Sequence, residues 1–271
     1  LQGSHVAKTI GKGIVPLDQL DKNLSLYIAL IASFAACVWV VIATSWKIPI
    51  STSHSIVGAV AGAGLAAGAT VKWKVLFDIF ICWIFTPLGS AVLGFIFYQI
   101  FKSLFYRFVP RKYLKSSLAV LIIISGCYVA YSWGANDVAN ATGVMVGAGV
   151  FTPTVSIVIG AAAILLGILT WGYKVIETIG SEITHLLPIM AFAAQLASAV
   201  NVHIYTILGV PVSTSHSIVG AIFGVGLVRG LHVLNVRIIK DIVICWLATP
   251  FISGVISFIA LKLIMIFVKI T

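Results

Sequence analysis

The sequence predicts an all-α membrane protein, a polytopic helical bundle of two inverted repeats with broken helices and re-entrant half-helices. Three observations lead to this fold class. The chain is 61% hydrophobic and only 9% charged, whereas a soluble domain carries about 25% charged residues. It contains several apolar runs of the ~20 residues that a helix needs to cross a bilayer, and it lacks the alternating pattern of a membrane barrel. A polar motif also occurs twice.

The repeated motif is PISTSHSIVG at residues 49–58 and PVSTSHSIVG at residues 211–220. The glycines behind the first copy recur at the same spacing behind the second, and so do a Cys-Trp and a Thr-Pro pair further on. Internal repeats in a membrane protein are typical of secondary transporters. The chain is therefore predicted to be a duplicated transporter.

The repeats divide the chain into three segments. Residues 1–101 form the first repeat, residues 102–117 a basic loop and residues 118–271 the second repeat. The second repeat has more sequence ahead of its shared motif, including a Gly-Ala-Asn-Asp run with no counterpart in the first. We expect that Leu1 is not the natural start and that a helix and a polar motif are absent. A degenerate first repeat is the alternative.

The loop between the repeats holds the densest basic cluster of the chain, with no acidic residue among its members: Lys102, Arg107, Arg111, Lys112 and Lys115. Because Lys and Arg collect in cytoplasmic loops, we expect this loop on the cytoplasmic side. A site for anionic lipid is the alternative. The net charge of +10 therefore does not indicate nucleic-acid binding. The four cysteines lie singly in apolar runs and show no metal-ligand or disulfide spacing.

Hydropathy and helix breakers predict each element in order. Residues 1–23 are polar and predict a helix end followed by a loop. Apolar stretches predict spanning helices at residues 24–46, 75–101, 118–133, 154–171, 188–208 and 238–268. The second and the last are expected to be interrupted at Thr86-Pro87 and Thr249-Pro250, because proline removes a backbone donor. Residues 174–185 are amphipathic and predict an interfacial segment.

Residues 49–68 and 211–230 differ from the ordinary spans. Each begins with proline and hydroxyl residues, which suit the start of a helix. Each continues with many small residues, and a Gly-x-x-x-Gly spacing allows close helix packing. Because both stretches are short, we predict half-helices or re-entrant segments.

Asp137 is the most informative charged residue. It lies in an otherwise apolar region with Asn136 and Asn140 beside it. An ionisable side chain at membrane depth costs at least ~2.5–3.5 kcal/mol on insertion scales. Carboxylate and amide oxygens are hard ligands that suit a cation such as Na⁺. The motif predicts a cation site, and a helix cap is the alternative.

Two hydroxyl loops offer donors for an anion: Ser51, Thr52 and Ser53 in the first, and Ser213, Thr214 and Ser215 in the second. Unpaired amides and the macrodipole at a helix N-terminus favour a tetrahedral oxyanion. No basic residue lies inside either loop, which favours reversible binding. Simple helix capping is the alternative. His54 and His216 follow the loops directly and are interpreted as packing histidines, with zinc or proton-relay roles as alternatives.

The run Gly134-Ala135-Asn136-Asp137-Val138-Ala139-Asn140, together with two Pro-x-Ser-Thr-Ser-His motifs, resembles the PiT family of inorganic phosphate transporters over essentially the whole chain. The short loop between the halves indicates a prokaryotic member. The resemblance implies a multi-pass transporter in a plasma membrane, with two inverted repeats and no enzymatic activity or cofactor. It also implies symport of inorganic phosphate with a co-transported cation, Na⁺ or H⁺.

The resemblance further implies residue roles. Phosphate is expected at both hydroxyl loops and at Asp137, and the cation at Asn136, Asp137 and Asn140. Two departures bear on the cation. The first-repeat Asn-Asp motif is absent, and the family often carries a glutamate near Gln195, which is neutral here and is kept as a further candidate.

A sulfate permease of the same fold is the nearest alternative. A carboxylate close to the anion, such as Asp137, favours protonated phosphate and repels sulfate. A channel and a nutrient receptor without coupled transport are further alternatives. An enzyme is not indicated, because no catalytic set and no P-loop are present. The sequence leaves the oligomeric state open, including a homodimer.

Overall fold

The computed structural model describes residues 2–172, 186–230 and 235–268. Within these ranges the regular secondary structure is helical. The predicted interfacial segment 174–185 lies outside the described residues. In chain order the elements are α1 (Ser4–Lys8), a π-helical turn (Thr9–Gly13), a 3-10 turn (Leu17–Gln19), α2 (Lys22–Ser45), α3 (Thr52–Ala66), α4 (Trp73–Phe108), α5 (Leu114–Gly147), α6 (Pro153–Trp171), α7 (Pro188–Ile207), α8 (Thr214–Leu227) and α9 (Val236–Val268).

Six helices in the described ranges are long and apolar enough to cross a membrane: α2, α4, α5, α6, α7 and α9. Their outer faces expose large apolar side chains, including Phe34, Phe85 and Phe251. Such faces suit contact with lipid tails, which are as apolar as these side chains. The chain is therefore a multi-pass membrane protein, as the sequence predicts.

The two predicted half-helices are confirmed as α3 and α8. They have 15 and 14 residues and are therefore only about 21–23 Å long, less than the ~30 Å hydrocarbon core of a bilayer. Each begins directly after a serine of its hydroxyl loop. In the first loop Ser51 and Ser53 are fully buried, so these two hydroxyls lie within the protein, whereas Thr52 between them is exposed.

The half-helix of the first repeat packs along the last helix of the second. A β-carbon on Gly58 of α3 would overlap the backbone of Pro250 in α9, and one on Gly62 would overlap that of Gly254. Only glycine allows such close backbones. Because the paired positions advance together along both helices, α3 and α9 run parallel.

The half-helix of the second repeat packs along α4 of the first repeat in the same way. A β-carbon on Gly220 of α8 would overlap the backbone of Pro87, and one on Gly224 would overlap that of Ala91. α8 and α4 therefore also run parallel. The two repeats exchange half-helices, so neither repeat packs as a separate unit.

The direction of the helices shows that the repeats are inverted. His54, near the start of α3, stacks on Trp83, well inside α4, whereas residues 67–72 join the end of α3 directly to the start of α4. α3 and α4 are therefore antiparallel. Since α3 is parallel to α9, the equivalent helices α4 and α9 run in opposite directions.

The interruptions predicted at the two Thr-Pro pairs do not occur. α4 continues through Pro87 and α9 through Pro250. A proline leaves the carbonyl four residues earlier without its helical donor. At Pro87 that carbonyl belongs to Trp83, and it accepts a hydrogen bond from the His216 ring. A side chain thus replaces the missing donor, and the same arrangement recurs at Pro250.

The basic segment 102–117 is helical at both ends, because α4 runs to Phe108 and α5 begins at Leu114. Only residues 109–113 connect them, so the loop is shorter than predicted. Arginine and lysine side chains here lie over neighbouring aromatic rings, such as Arg107 over Phe108, so the charges are accommodated along the helices. The cytoplasmic location and the division of the repeats at this segment stay predictions.

Candidate functional site

Each hydroxyl loop begins a half-helix in the same way. Ser51 caps α3 by accepting from the backbone N–H of His54 at 3.1 Å, and Ser213 caps α8 by accepting from His216 at 3.1 Å. The first backbone bond of each helix starts from Ser55 or its equivalent, Ser217. The amides before it have no partner within the helix. These amides and the positive helix ends make both termini suited to an anion.

The two loops are cross-linked by reciprocal hydrogen bonds. The Ser53 hydroxyl donates to the Val212 carbonyl at 2.6 Å, and the Ser215 hydroxyl donates to the Ile50 carbonyl at 2.9 Å. These are equivalent positions of the two repeats. The two hydroxyl loops therefore lie against each other, although two of the predicted phosphate-binding hydroxyls already donate to backbone carbonyls.

The Asn-Asp motif lies within α5 and faces both loops. Asn140 donates to the Ser53 hydroxyl at 2.6 Å and to the Asn136 side-chain oxygen at 2.9 Å. The Thr214 hydroxyl donates to the Asp137 carboxylate at 3.2 Å. Asp137 therefore does not cap a helix, because it lies in the helix interior. The structure brings together the predicted anion and cation residues.

α7 completes the site in a way that the sequence did not indicate. The Asn136 amide donates to the Thr206 hydroxyl at 3.1 Å and lies 3.5 Å from the Val210 carbonyl oxygen. Thr206 is fully buried. A threonine in an apolar span carries no sequence signal, and backbone carbonyls carry none at all, so these contacts become visible only in three dimensions.

The oxygen atoms around Asp137 fit a hard monovalent cation. The side-chain oxygen of Asn140 is buried and has no hydrogen-bond partner among the described residues. The Asp137 carboxylate is half-buried and has a neighbouring hydroxyl but no neighbouring cationic side chain in the described hydrogen bonds. No group of three or more His, Cys, Asp or Glu is placed to hold a metal in these ranges. Carboxylate and amide oxygens are ligands that suit a hard cation.

The two loops differ at their central threonine. Thr214 is 8% exposed and bonded to Asp137, whereas Thr52 is exposed. The two loops therefore differ in these contacts, although they are nearly identical in sequence.

Gln195 lies apart from the other candidates. Its side-chain oxygen accepts from Ser125 at 2.6 Å. Ser125 precedes Asp137 by about three turns of α5, which corresponds to roughly 18 Å along the helix. The structure therefore does not bring Gln195 to the cation cluster.

The histidines are buried, as the packing interpretation predicts. His54 is 3% exposed and His216 is 4% exposed, and their rings lie 4.4 Å apart. Each ring also stacks on a tryptophan, His54 on Trp83 and His216 on Trp246. The pair marks the centre of the crossing between the two repeats.

Comparison with known proteins agrees with this architecture. Residues 1–115 and 107–257 each match the Phosphate transporter family. A protein of Pyrococcus furiosus named as a phosphate permease is 30% identical over 343 residues, covering 97% of this chain and 83% of that protein. A Rhizobium meliloti protein named as a low-affinity inorganic phosphate transporter is 31% identical over 266 residues, covering 94% and 78%.

A solved structure of a sodium-dependent phosphate transporter has the same fold. It matches with a TM-score of 0.87 and 29% identity, covering 98% of this chain and 87% of that chain. The two family matches meet at residues 107–115, where α4 passes into α5. Together with the paired hydroxyl loops, they place the chain in the Phosphate transporter family.

Proposed function

We propose that the protein is a symporter that carries inorganic phosphate across the membrane together with Na⁺. Family membership supports phosphate as the transported substrate, and the structural relative is sodium-dependent. The observation that carries the proposal is the contact between Asp137 and Thr214. It brings the candidate cation ligand to the terminus of a candidate anion-binding helix.

Phosphate binds between the N-termini of α3 and α8. Both termini present their first-turn amides and their hydroxyls toward the same region, and no Lys or Arg is among the described buried side chains. Neutral donors and helix ends hold an oxyanion without the full attraction of a buried positive charge. Such binding is weak enough to be reversed on the other side of the membrane.

When phosphate binds, it accepts the hydrogen bonds that the Ser53 and Ser215 hydroxyls now donate to backbone carbonyls. When Ser53 donates to phosphate, the Val212 carbonyl loses its donor. This carbonyl adjoins the hydroxyl that Asn140 contacts. A Na⁺ ion held by Asp137 and by the side-chain oxygen of Asn140 would lie beside this rearranged hydroxyl, because Asn140 contacts it. Anion and cation binding favour each other, which is the mutual dependence that coupling requires.

The swapped half-helices provide the two access routes. α3 and α8 begin at the same site and run to opposite sides, each packed on a long helix of the other repeat. Rocking of this core against the flanking spans would open the loops to one side at a time. The reciprocal bonds of Ser53 and Ser215 hold the loops together when neither side is open.

Asp137 also supports phosphate over sulfate. At neutral pH phosphate retains a proton that it can donate to a carboxylate, whereas sulfate has none. A carboxylate beside the anion therefore repels sulfate more strongly than protonated phosphate. The proposed selectivity rests on the charge of this residue.

Uptake of labelled phosphate into proteoliposomes tests the proposal. A Na⁺ gradient is imposed in one sample and a proton gradient in another, with excess unlabelled sulfate in a parallel sample. We expect uptake with the Na⁺ gradient alone and no competition by sulfate. Proton-driven uptake would change the coupling ion, and competition by sulfate would indicate a sulfate permease. Uptake that ignores both cation gradients would indicate a channel, and binding without uptake a receptor.

A further inference from the structure

The helices that support the hydroxyl loops each contain a backbone carbonyl without its helical donor. Pro87 in α4 lacks the N–H that would bond to Trp83, and Pro250 in α9 lacks the one for Trp246. Buried backbone carbonyls are almost always paired in folded proteins, because leaving one unpaired is costly. Another donor must therefore satisfy each carbonyl.

Those donors are the histidines that follow the hydroxyl loops. His54 Nδ1 lies 3.0 Å from the Trp246 carbonyl oxygen, and His216 Nδ1 lies 3.2 Å from the Trp83 carbonyl oxygen. Because a carbonyl oxygen only accepts, each bond requires the proton on Nδ1. Both bonds cross from the half-helix of one repeat to the long helix of the other.

The same tryptophans hold the opposite end of each loop. The Trp246 indole N–H donates to the Pro49 carbonyl at 3.0 Å, and the Trp83 indole donates to the Pro211 carbonyl at 2.9 Å. Trp246 thus contacts the first loop both before Ser51 and after Ser53. Each loop is fixed at two points on one residue of the other repeat.

Ring stacking links the two loops to each other. His54 stacks on Trp83 with ring centroids 3.6 Å apart, and His216 stacks on Trp246 at 3.7 Å. Each tryptophan therefore bonds to one loop and stacks on the histidine of the other. Each loop therefore contacts both long helices, α4 and α9.

We infer that His54 and His216 are positioning residues for phosphate binding, and that each fixes its loop through Nδ1–H on the carbonyl freed by a proline of the opposite repeat. This inference rests on the proposed phosphate site at the hydroxyl loops. It assigns the histidines a donor role at Nδ1, whereas a metal ligand or a proton carrier would use the Nε2 atoms, which have no partner among the described residues.

Two substitutions of His54 distinguish the role of Nδ1 from that of Nε2. In place of His54, asparagine sets an amide nitrogen near the Nδ1 position, and glutamine sets one near Nε2. We expect His54→Asn to keep the KM for phosphate within about twofold. His54→Gln should raise it roughly tenfold, the effect of one unsatisfied buried carbonyl. The inference would be overturned if His54→Gln were active and His54→Asn inactive, or if both variants had the same KM for phosphate.

The prolines provide a second, independent test. Pro250→Ala restores the backbone N–H for Trp246, so the donor of His54 becomes dispensable. We expect the His54→Gln/Pro250→Ala double variant to match Pro250→Ala alone. The mismatched double, His54→Gln/Pro87→Ala, should show no recovery. Recovery in both doubles, or in neither, contradicts the inference.

Unfolding temperatures of the detergent-solubilised variants, recorded beside the uptake kinetics, separate this inference from the proposed function. Loss of the matched rescue while Na⁺-driven phosphate uptake persists overturns the positioning role alone. If the matched rescue is seen only in the maximal rate and in the unfolding temperature, and KM is unchanged, the positioning role is overturned. The link between His54 and Trp246 then stands, but the phosphate site lies elsewhere.

Discussion

The side-chain amide of Asn140 donates a 2.6 Å hydrogen bond to the hydroxyl of Ser53 and so joins the Asn-Asp motif of the second repeat to the hydroxyl loop of the first. The same hydroxyl donates to the Val212 carbonyl in the second loop, also at 2.6 Å. One buried hydroxyl therefore connects α5 with both loops. A ligand that accepts the hydrogen bond of the Ser53 hydroxyl must therefore alter the contacts of α5 and of both loops.

Replacement of Asn140 is expected to weaken the binding of phosphate and of Na⁺ together. Asn140→Ala removes the donor to Ser53 and the side-chain oxygen that has no other partner in the described ranges. We expect the KM for phosphate and the half-saturating Na⁺ concentration each to rise about tenfold, as for one lost buried hydrogen bond. Asn23→Ala, at an exposed position in the first turn of α2, serves as the control. A change in only one of the two constants would separate the sites.

Neutralising Asp137 is expected to remove cation coupling and anion selectivity. Asp137→Asn keeps the size of the side chain and removes its charge. We expect Na⁺-driven uptake to fall roughly a hundredfold, since hydrogen bonds to charged groups contribute about 1.5–3 kcal/mol. Sulfate should then compete with the residual phosphate uptake.

The control for Asp137 is Asp78→Asn, an exposed carboxylate on α4 that should tolerate the same change. Retention of phosphate uptake and of its preference over sulfate in Asp137→Asn would contradict the assigned role.

Substitution of Gln195 is expected to leave ion coupling intact. Its described contact is the 2.6 Å bond from Ser125, roughly 18 Å along α5 from Asp137. Gln195→Ala should change the half-saturating Na⁺ concentration less than twofold in the uptake assay. Ser125→Ala is the matched control on the other side of the bond. Loss of Na⁺ dependence in Gln195→Ala would instead place this residue on the ion path.

Much of the fold was predictable because the duplication is preserved in residues that have few other uses. Two proline–hydroxyl runs before small residues predict helix starts, and α3 and α8 begin at Thr52 and Thr214 as expected. The apolar runs predict the six spans, because length and hydropathy alone decide whether a helix can cross a bilayer.

Long-range pairing was not predictable from one sequence. The prolines in α4 and α9 predict interruptions when each helix is considered alone, and the helices continue because His216 and His54 approach from the other repeat. The swap of half-helices has no local signal either. Gln195 was a candidate by resemblance, and its distance from the cation cluster, measured along α5, is known only from the structure.

The close contact of α3 with α9 gives a prediction for stability. Gly58→Ala places a methyl group on the backbone of Pro250, and overpacking of this kind costs typically 1–3 kcal/mol. We expect a lower unfolding temperature in detergent. Gly126→Ala on α5 is the matched control, because no atom lies within 4 Å of its added β-carbon. Equal unfolding temperatures for both variants would mean that α3 and α9 can separate without cost.

The two central threonines are expected to behave differently despite their equivalent positions. Thr214→Val removes the donor to the Asp137 carboxylate, so it should raise the half-saturating Na⁺ concentration and the KM for phosphate together. Thr52 is exposed, so Thr52→Val should raise only the KM for phosphate, about two- to fivefold, as for a typical solvated hydrogen bond of ~0.5–1 kcal/mol.

Thr52→Ser and Thr214→Ser keep the hydroxyl and should leave the constants close to those of the unmodified protein, which separates loss of the donor from a change of shape. The uptake assay at varied Na⁺ and at varied phosphate measures the two constants independently. An equal response of Thr52→Val and Thr214→Val to Na⁺ would mean that Asp137 acts on both loops alike. In that case the asymmetry between the loops would not be maintained during transport, and the cation would be shared between the two helix termini.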